Sequence, residues 1–211
     1  MRTALAGTAL LLVVASCDRR PTTVDRRPAT DTTALTFEPG VAFGPLNAEA
    51  SEQDLIAAYG AGAVQPEDVS LGEGETEPGS LVFGDDPLRR FEVAWSDTLQ
   101  RRAPSFVLLM GDTTLWHGTH GITLGVPLER LEQLNGGPFG MAGYGWDYGG
   151  AVLSWKGGQL ADLEGRLALA LAPANPDADV SLVLGDGEFL SSDSSVRRLH
   201  PRVSRLVIRF E

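Results

Sequence analysis

A single thiol, three imidazoles and 28 carboxylates make up the reactive side chains of this sequence. Thiol chemistry reduces to Cys17, near the start of the chain. Two of the imidazoles stand three apart, in His117-Gly118-Thr119-His120. That spacing suits two metal ligands, but no third ligand follows, and catalytic zinc takes three. A solvated loop is the expectation, with no metal and no cofactor. His200 sits beside Pro201 in a turn. Glu73, Glu75 and Glu77, with Asp85 and Asp86, offer oxygen ligands to calcium, but their spacing matches no EF-hand loop. They read as a solvated acidic loop. No Gly-x-Ser-x-Gly elbow, phosphate-binding loop or His-Glu-x-x-His pair occurs, so the inventory for nucleophilic or acid–base catalysis is thin. A carboxylate pair for glycoside hydrolysis would be recognised only by its separation in space.

Binding chemistry is better represented. Gly143-Tyr144-Gly145-Trp146-Asp147-Tyr148-Gly149-Gly150 sets three aromatics among four glycines. Rings of this kind stack on sugar faces or anchor protein interfaces. The competing reading is structural: glycine permits a tight or bulged strand, alternate aromatics fill the core, and Asp147 caps the turn. If the chain has a binding site, Tyr144, Trp146, Asp147 and Tyr148 are its candidates.

Charge narrows the partners. The formal net charge is −11, and basic residues are almost all arginine. Phe37 to Ser80 holds nine acidic residues and no basic one, whereas Val196 to Glu211 holds five arginines and one glutamate. These two segments are expected to be neighbours in space. The overall sign argues against nucleic acid, whose phosphates call for a basic surface.

The start of the chain has its own logic. One arginine in Met1-Arg2-Thr3 precedes an apolar stretch, Ala4 to Ala15, too short for the roughly 20 apolar residues a membrane helix needs. The order of basic start, apolar middle and small residues matches a secretory signal. Val14-Ala15-Ser16-Cys17 resembles the lipobox of bacterial lipoproteins. That resemblance implies a diacylglycerol on the Cys17 sulfur, cleavage before Cys17 and acylation of its new amine, as by palmitate, so residues 1–16 would be a signal peptide. The mature protein would be lipid-anchored to a membrane of the cell envelope on the exported side, periplasmic or cell-surface. Residues 17–36 are rich in Thr, Pro, Asp and Arg and read as a disordered tether. Residues 37–211 then form one domain without disulfides.

Within that domain, a helix is expected over Ala50 to Tyr59, with Ser51 and Asp54 as a capping box and Gly60 as its stop. A second is expected over Pro127 to Asn135, closed by Gly136. Gly62 to Ser80 reads as a polar connection. Strands are expected at Leu81 to Phe83, Arg90 to Trp95, Ser105 to Met110, Leu115-Trp116, Gly121 to Leu124, Ala142 to Tyr148, Ala151 to Trp155, Leu167 to Ala172, Ser181 to Leu184, Glu188 to Leu190 and Val203 to Phe210. Gly149-Gly150 and Asp186-Gly187 are the expected hairpin turns. Two halves, about 48–116 and 117–211, each run from a Gly-stopped helix into strands and each carry a tryptophan, Trp95 and Trp155. They read as a possible degenerate duplication. The fold class is α+β: two helix-plus-antiparallel-strand units sharing a mainly antiparallel sheet.

Gly121-Ile122-Thr123-Leu124-Gly125, then Leu128 to Phe139, then Gly145-Trp146-Asp147-Tyr148-Gly149-Gly150 together resemble a family of uncharacterised exported bacterial proteins. The helix, Gly-x-Pro turn and antiparallel strands are also similar to beta-lactamase-inhibitor-like and outer-membrane-assembly lipoprotein folds. That similarity implies a small binding domain rather than an enzyme. The expected function is a membrane-tethered, non-catalytic module that binds another envelope protein. A carbohydrate or cell-wall binding module and an envelope glycan hydrolase are the alternatives.

Overall fold

The computed structural model describes residues 35–211. The signal segment, Cys17 and most of the tether lie outside the described residues. The strands are β1 (Thr36–Glu38), β2 (Ala42–Phe43), β3 (Val64–Gly72), β4 (Glu75–Val82), β5 (Phe91–Asp97), β6 (Arg102–Met110), β7 (His117–Gly118), β8 (Gly140–Ala142), β9 (Val152–Ser154), β10 (Leu167–Ala172), β11 (Glu188–Leu190) and β12 (Arg202–Arg209). The helices are α1 (Glu52–Tyr59), α2 (Leu128–Asn135) and the single turn α3 (Ser194–Arg197). The mainly antiparallel sheets with few helices are α+β, as expected.

Six strands form the main sheet in the order β10-β12-β6-β5-β4-β3, every neighbour antiparallel. A smaller sheet, β11-β8-β9, joins it through a bridge between Ala151 and Ala170. A third, β2-β1-β7, contains the parallel pair β1–β7.

Alternation explains why these segments are strands. In β10, Leu167, Leu169 and Leu171 are buried while Ala168, Ala170 and Ala172 point the other way. In β12, Val203, Leu206 and Ile208 enter the core, and Arg205, Val207 and Arg209 take the opposite face. The leucine-lined face carries Leu55 of α1 and Leu128 and Leu131 of α2 within one continuous core. Under α1 that core is aromatic: Phe43 stacks on Trp116 at 4.1 Å, and Phe91 meets Trp116 edge-on at 5.2 Å.

Both helices are shorter at the start than expected. Ser51 precedes α1, its N–H and hydroxyl each donating to the Asp54 carboxylate at 2.8 Å. An aspartate therefore does the work of the usual glutamate in the cap. Pro127 is the cap of α2 rather than its first residue, with ψ 152°. Gly136 closes α2 in the left-handed conformation, as expected.

Each helix also presents a glutamate to a fully buried serine and to an arginine. Ser80 Oγ donates to Glu52 and accepts from Trp95 Nε1 at 2.9 Å, and Arg101 pairs with Glu52 at 2.8 Å. Ser191 Oγ donates to Glu132 and accepts from Phe139 N–H at 3.0 Å, and Arg197 pairs with Glu132.

The largest departure from expectation lies at 62–80. The polar connection is instead the long hairpin β3–β4, turned by Glu73-Gly74 with both φ positive, as a tight two-residue turn requires. Most of its side chains face water, so no apolar alternation marks it. Gly121–Leu124 and the Leu115-Trp116 pair are not strands; the short strand there is β7. Ser181–Val183 is a 3-10 turn, not a strand. Asp186-Gly187 does not turn a hairpin either, because β11 pairs with β8. The Ala142–Tyr148 strand stops at Ala142, and 143–150 forms a broad loop rather than a tight turn.

Candidate functional site

On the face opposite the helices the main sheet is only partly covered. Phe106 and Leu108 of β6, Val207 of β12, and Ala168 and Ala170 of β10 share this floor. The outer half of the β3–β4 hairpin curls over one side. Val69 is fully buried there, packed with Ala94 and Leu108. The curl depends on Gly79, where a β-carbon would stand 2.5 Å from Val69 Cγ2 and 2.4 Å from the Val93 carbonyl oxygen. Leu71 and Ser70 then form one wall of a recess of about 340 Å³, with Tyr148 and Ala151 on the other side.

Tyr148 belongs to the glycine-aromatic loop, which the structure divides. Tyr144 is core: it is 7% exposed, and its backbone bridges to Leu184. Its hydroxyl has no hydrogen-bond partner among the described residues, and burial pushes its pKa well above the usual phenol range. Trp146 and Tyr148 are 40% and 36% exposed, and their rings meet edge-to-face at 5.3 Å and 71°. Trp146 is held by its own Nε1–H, which donates to the Gly143 carbonyl at 3.0 Å. Asp147 is exposed and makes no side-chain hydrogen bond to the turn among the described residues, so the expected turn cap is absent. Gly150 is demanded by space and conformation alike: φ is +75°, and a β-carbon would meet the Leu171 carbonyl oxygen at 1.9 Å. The four sequence candidates are thus one core residue and three surface residues. Beside them stands Leu184, 53% exposed, with a methyl 2.9 Å from the β-carbon position of Gly145.

Sequence reasoning missed the other side of the recess. Arg205 and Arg209 line it, on the same face of β12 as Val207. Neither has a carboxylate within ion-pair distance among the described residues. Glu92, on the same sheet face, is paired with Arg90 at 2.9 Å. The acidic and basic segments do come together across this recess, since Ser70 and Leu71 of the acidic hairpin face Arg205 and Arg209. No ion pair joins them among the described residues. The signal for the recess was present in β10, where every residue between the leucines is alanine.

No carboxylate lines the recess. Three carboxylates elsewhere are displaced, all downward. The Ser51 hydroxyl and N–H lower Asp54, the Arg89 guanidinium lowers Asp86, and the Ser181 N–H and hydroxyl lower Asp179. Among the described residues, no group of three His, Cys, Asp or Glu side chains is placed to hold a metal, and no helix is long and apolar enough to cross a membrane. His117 belongs to β7 and His120 to the exposed loop after it. No family model, no curated protein and no solved structure matches the chain.

Proposed function

We propose that this chain is a lipid-anchored envelope protein whose domain is a non-catalytic module binding another envelope protein. The observation that carries the reading is the exposed Trp146, fixed by its bond to Gly143 and flanked by Tyr148 and Leu184. Large apolar groups held rigidly at the surface are what interface anchors look like, because little side-chain freedom is lost on docking. The edge-to-face packing of Trp146 and Tyr148 offers no flat two-ring platform for a sugar, which favours protein over glycan. A hydrolase of glycans would need two facing carboxylates, and the recess supplies none.

The test is affinity capture from detergent-solubilised native membranes with the full chain as bait, read by quantitative mass spectrometry. One saturable envelope partner, lost with Trp146→Ala and Leu184→Ala, is expected. A captured set that these two changes leave unaltered would overturn the reading. The anchor is tested separately: labelled palmitate should enter the wild-type chain and not Cys17→Ser, and incorporation into that variant would refute it.

A further inference from the structure

We infer that the recess between the β3–β4 hairpin and the glycine-aromatic loop is a binding site for a single-chain anionic amphiphile, with a carboxylate or phosphate head. This site adjoins the Trp146 surface, with Tyr148 at their border, and goes beyond the protein-binding reading.

The shape comes from three sources. Ala168 and Ala170 stop short where larger side chains would fill the floor. The hairpin, folded over Leu108 through Val69, gives the recess a wall instead of leaving an open sheet face. Its tip meets the glycine-aromatic loop, since Tyr148 Oη stands 2.9 Å from the β-carbon position of Gly72. A recess of about 340 Å³ is at the small end of the roughly 300–1,000 Å³ typical of ligand pockets. One flexible chain suits that volume, and a two-chain lipid does not.

The head group follows from charge. In a chain of net charge −11, two arginines without carboxylate partners stand at an apolar recess. Arg205 is half-buried, and Arg209 is at the exposed end of the same row. A guanidinium kept partly from water attracts an oxyanion more strongly than a fully solvated one and offers it paired donors. Phe106, Leu108, Val207 and the alanines would meet the acyl chain. A neutral amphiphile would gain the apolar contact without the charge contact, and a cationic one would be repelled.

The experiment titrates the detergent-free full chain bearing Cys17→Ser with dodecanoate, dodecyl phosphate, dodecan-1-ol and dodecylammonium. Calorimetry and Tyr148 ring shifts in NMR are the readouts. Saturable one-to-one binding of either anion, at least tenfold tighter than the alcohol, is expected. Arg205→Gln should abolish that preference. Ala170→Leu should abolish binding with the circular dichroism spectrum unchanged, whereas Leu184→Ala, on the proposed protein-binding surface but outside the recess lining, should leave anion binding intact. The proposal is overturned if the alcohol binds as tightly as the anions, if nothing saturates, or if folded Ala170→Leu binds as well as wild type. Survival of binding in Leu184→Ala distinguishes this site from the protein-binding surface, so either can fail alone.

Discussion

Tyr148 Oη lies 2.9 Å from where a β-carbon would stand on Gly72, so the tip of the β3–β4 hairpin touches the glycine-aromatic loop of the other half of the chain. Gly72 also has φ +100°, a conformation that side-chain-bearing residues avoid. Two independent reasons therefore make this position a glycine, and only one of them involves the tyrosine.

That separation is measurable. Gly72→Ala should destabilise the domain by about 1–2 kcal/mol in urea unfolding, mostly from the backbone conformation. Gly72→Ala with Tyr148→Ala should cost less than the two changes summed, because the collision disappears with the ring. Strict additivity would mean that hairpin and loop do not touch in solution.

Tyr144 and Trp146, two residues apart, should behave as opposites. Truncating a buried aromatic side chain costs about 3–5 kcal/mol, so Tyr144→Ala should severely lower the melting temperature. Trp146→Ala should cost less than about 1 kcal/mol of stability and instead remove partner capture. Equal losses of stability would place Trp146 in the core.

Tyr59 provides a pH test. Its hydroxyl is buried without a partner among the described residues, and burial raises its pKa to about 12. The folded-state value is above the unfolded one of about 10, so this group's contribution is unimpaired below pH 10. As pH rises from about 10 towards 12, the unfolded chain loses the proton more readily and stability falls. Tyr59→Phe should gain about 1 kcal/mol at neutral pH by deleting an unsatisfied hydroxyl, and should flatten the alkaline decline. A loss of stability at pH 7 would show that the hydroxyl has a partner in solution.

The paired serines predict a contrast between buried and exposed polar contacts. Ser80→Ala strands the Trp95 N–H, and Ser191→Ala strands the Phe139 N–H; each should cost about 1–3 kcal/mol. Lys156 and Glu188 form an ion pair that is largely open to water, and Lys156→Met should change stability by less than about 1 kcal/mol. Chemical unfolding of the three variants side by side checks the order.

Much of the fold was legible because one-sided burial leaves a periodic trace. The Leu-Ala alternation marked β10 to the residue, and Leu128, Leu131 and Leu134 marked α2. The β3–β4 hairpin left no such trace. Val69 is its one buried side chain in the outer half, and Glu73-Gly74 is a weaker turn signal than the asparagine- or aspartate-glycine pairs usual in such turns. Asp186-Gly187 sent the opposite, misleading signal, because a local turn preference says nothing about a strand that pairs with a distant one. At the candidate site, sequence showed that 143–150 was special but not which rings faced out. That depends on Leu171, Val183 and the Gly72 tip, all remote in sequence. Arg205 and Arg209 were visible only as charge on the strand, since the alanines opposite them acquire meaning only when β10 and β12 pair.

The place of β12 has a consequence for how the molecule comes together. This strand follows every other described strand in sequence, yet it lies between β10 and β6, bonded to both. The β3–β6 meander can assemble from neighbours, but the seam joining it to the later strands waits for β12. For a chain made N-terminus first, this seam stays open until β12 has emerged. Such late closure makes the recess, to whose floor β12 contributes Val207, the last feature to exist.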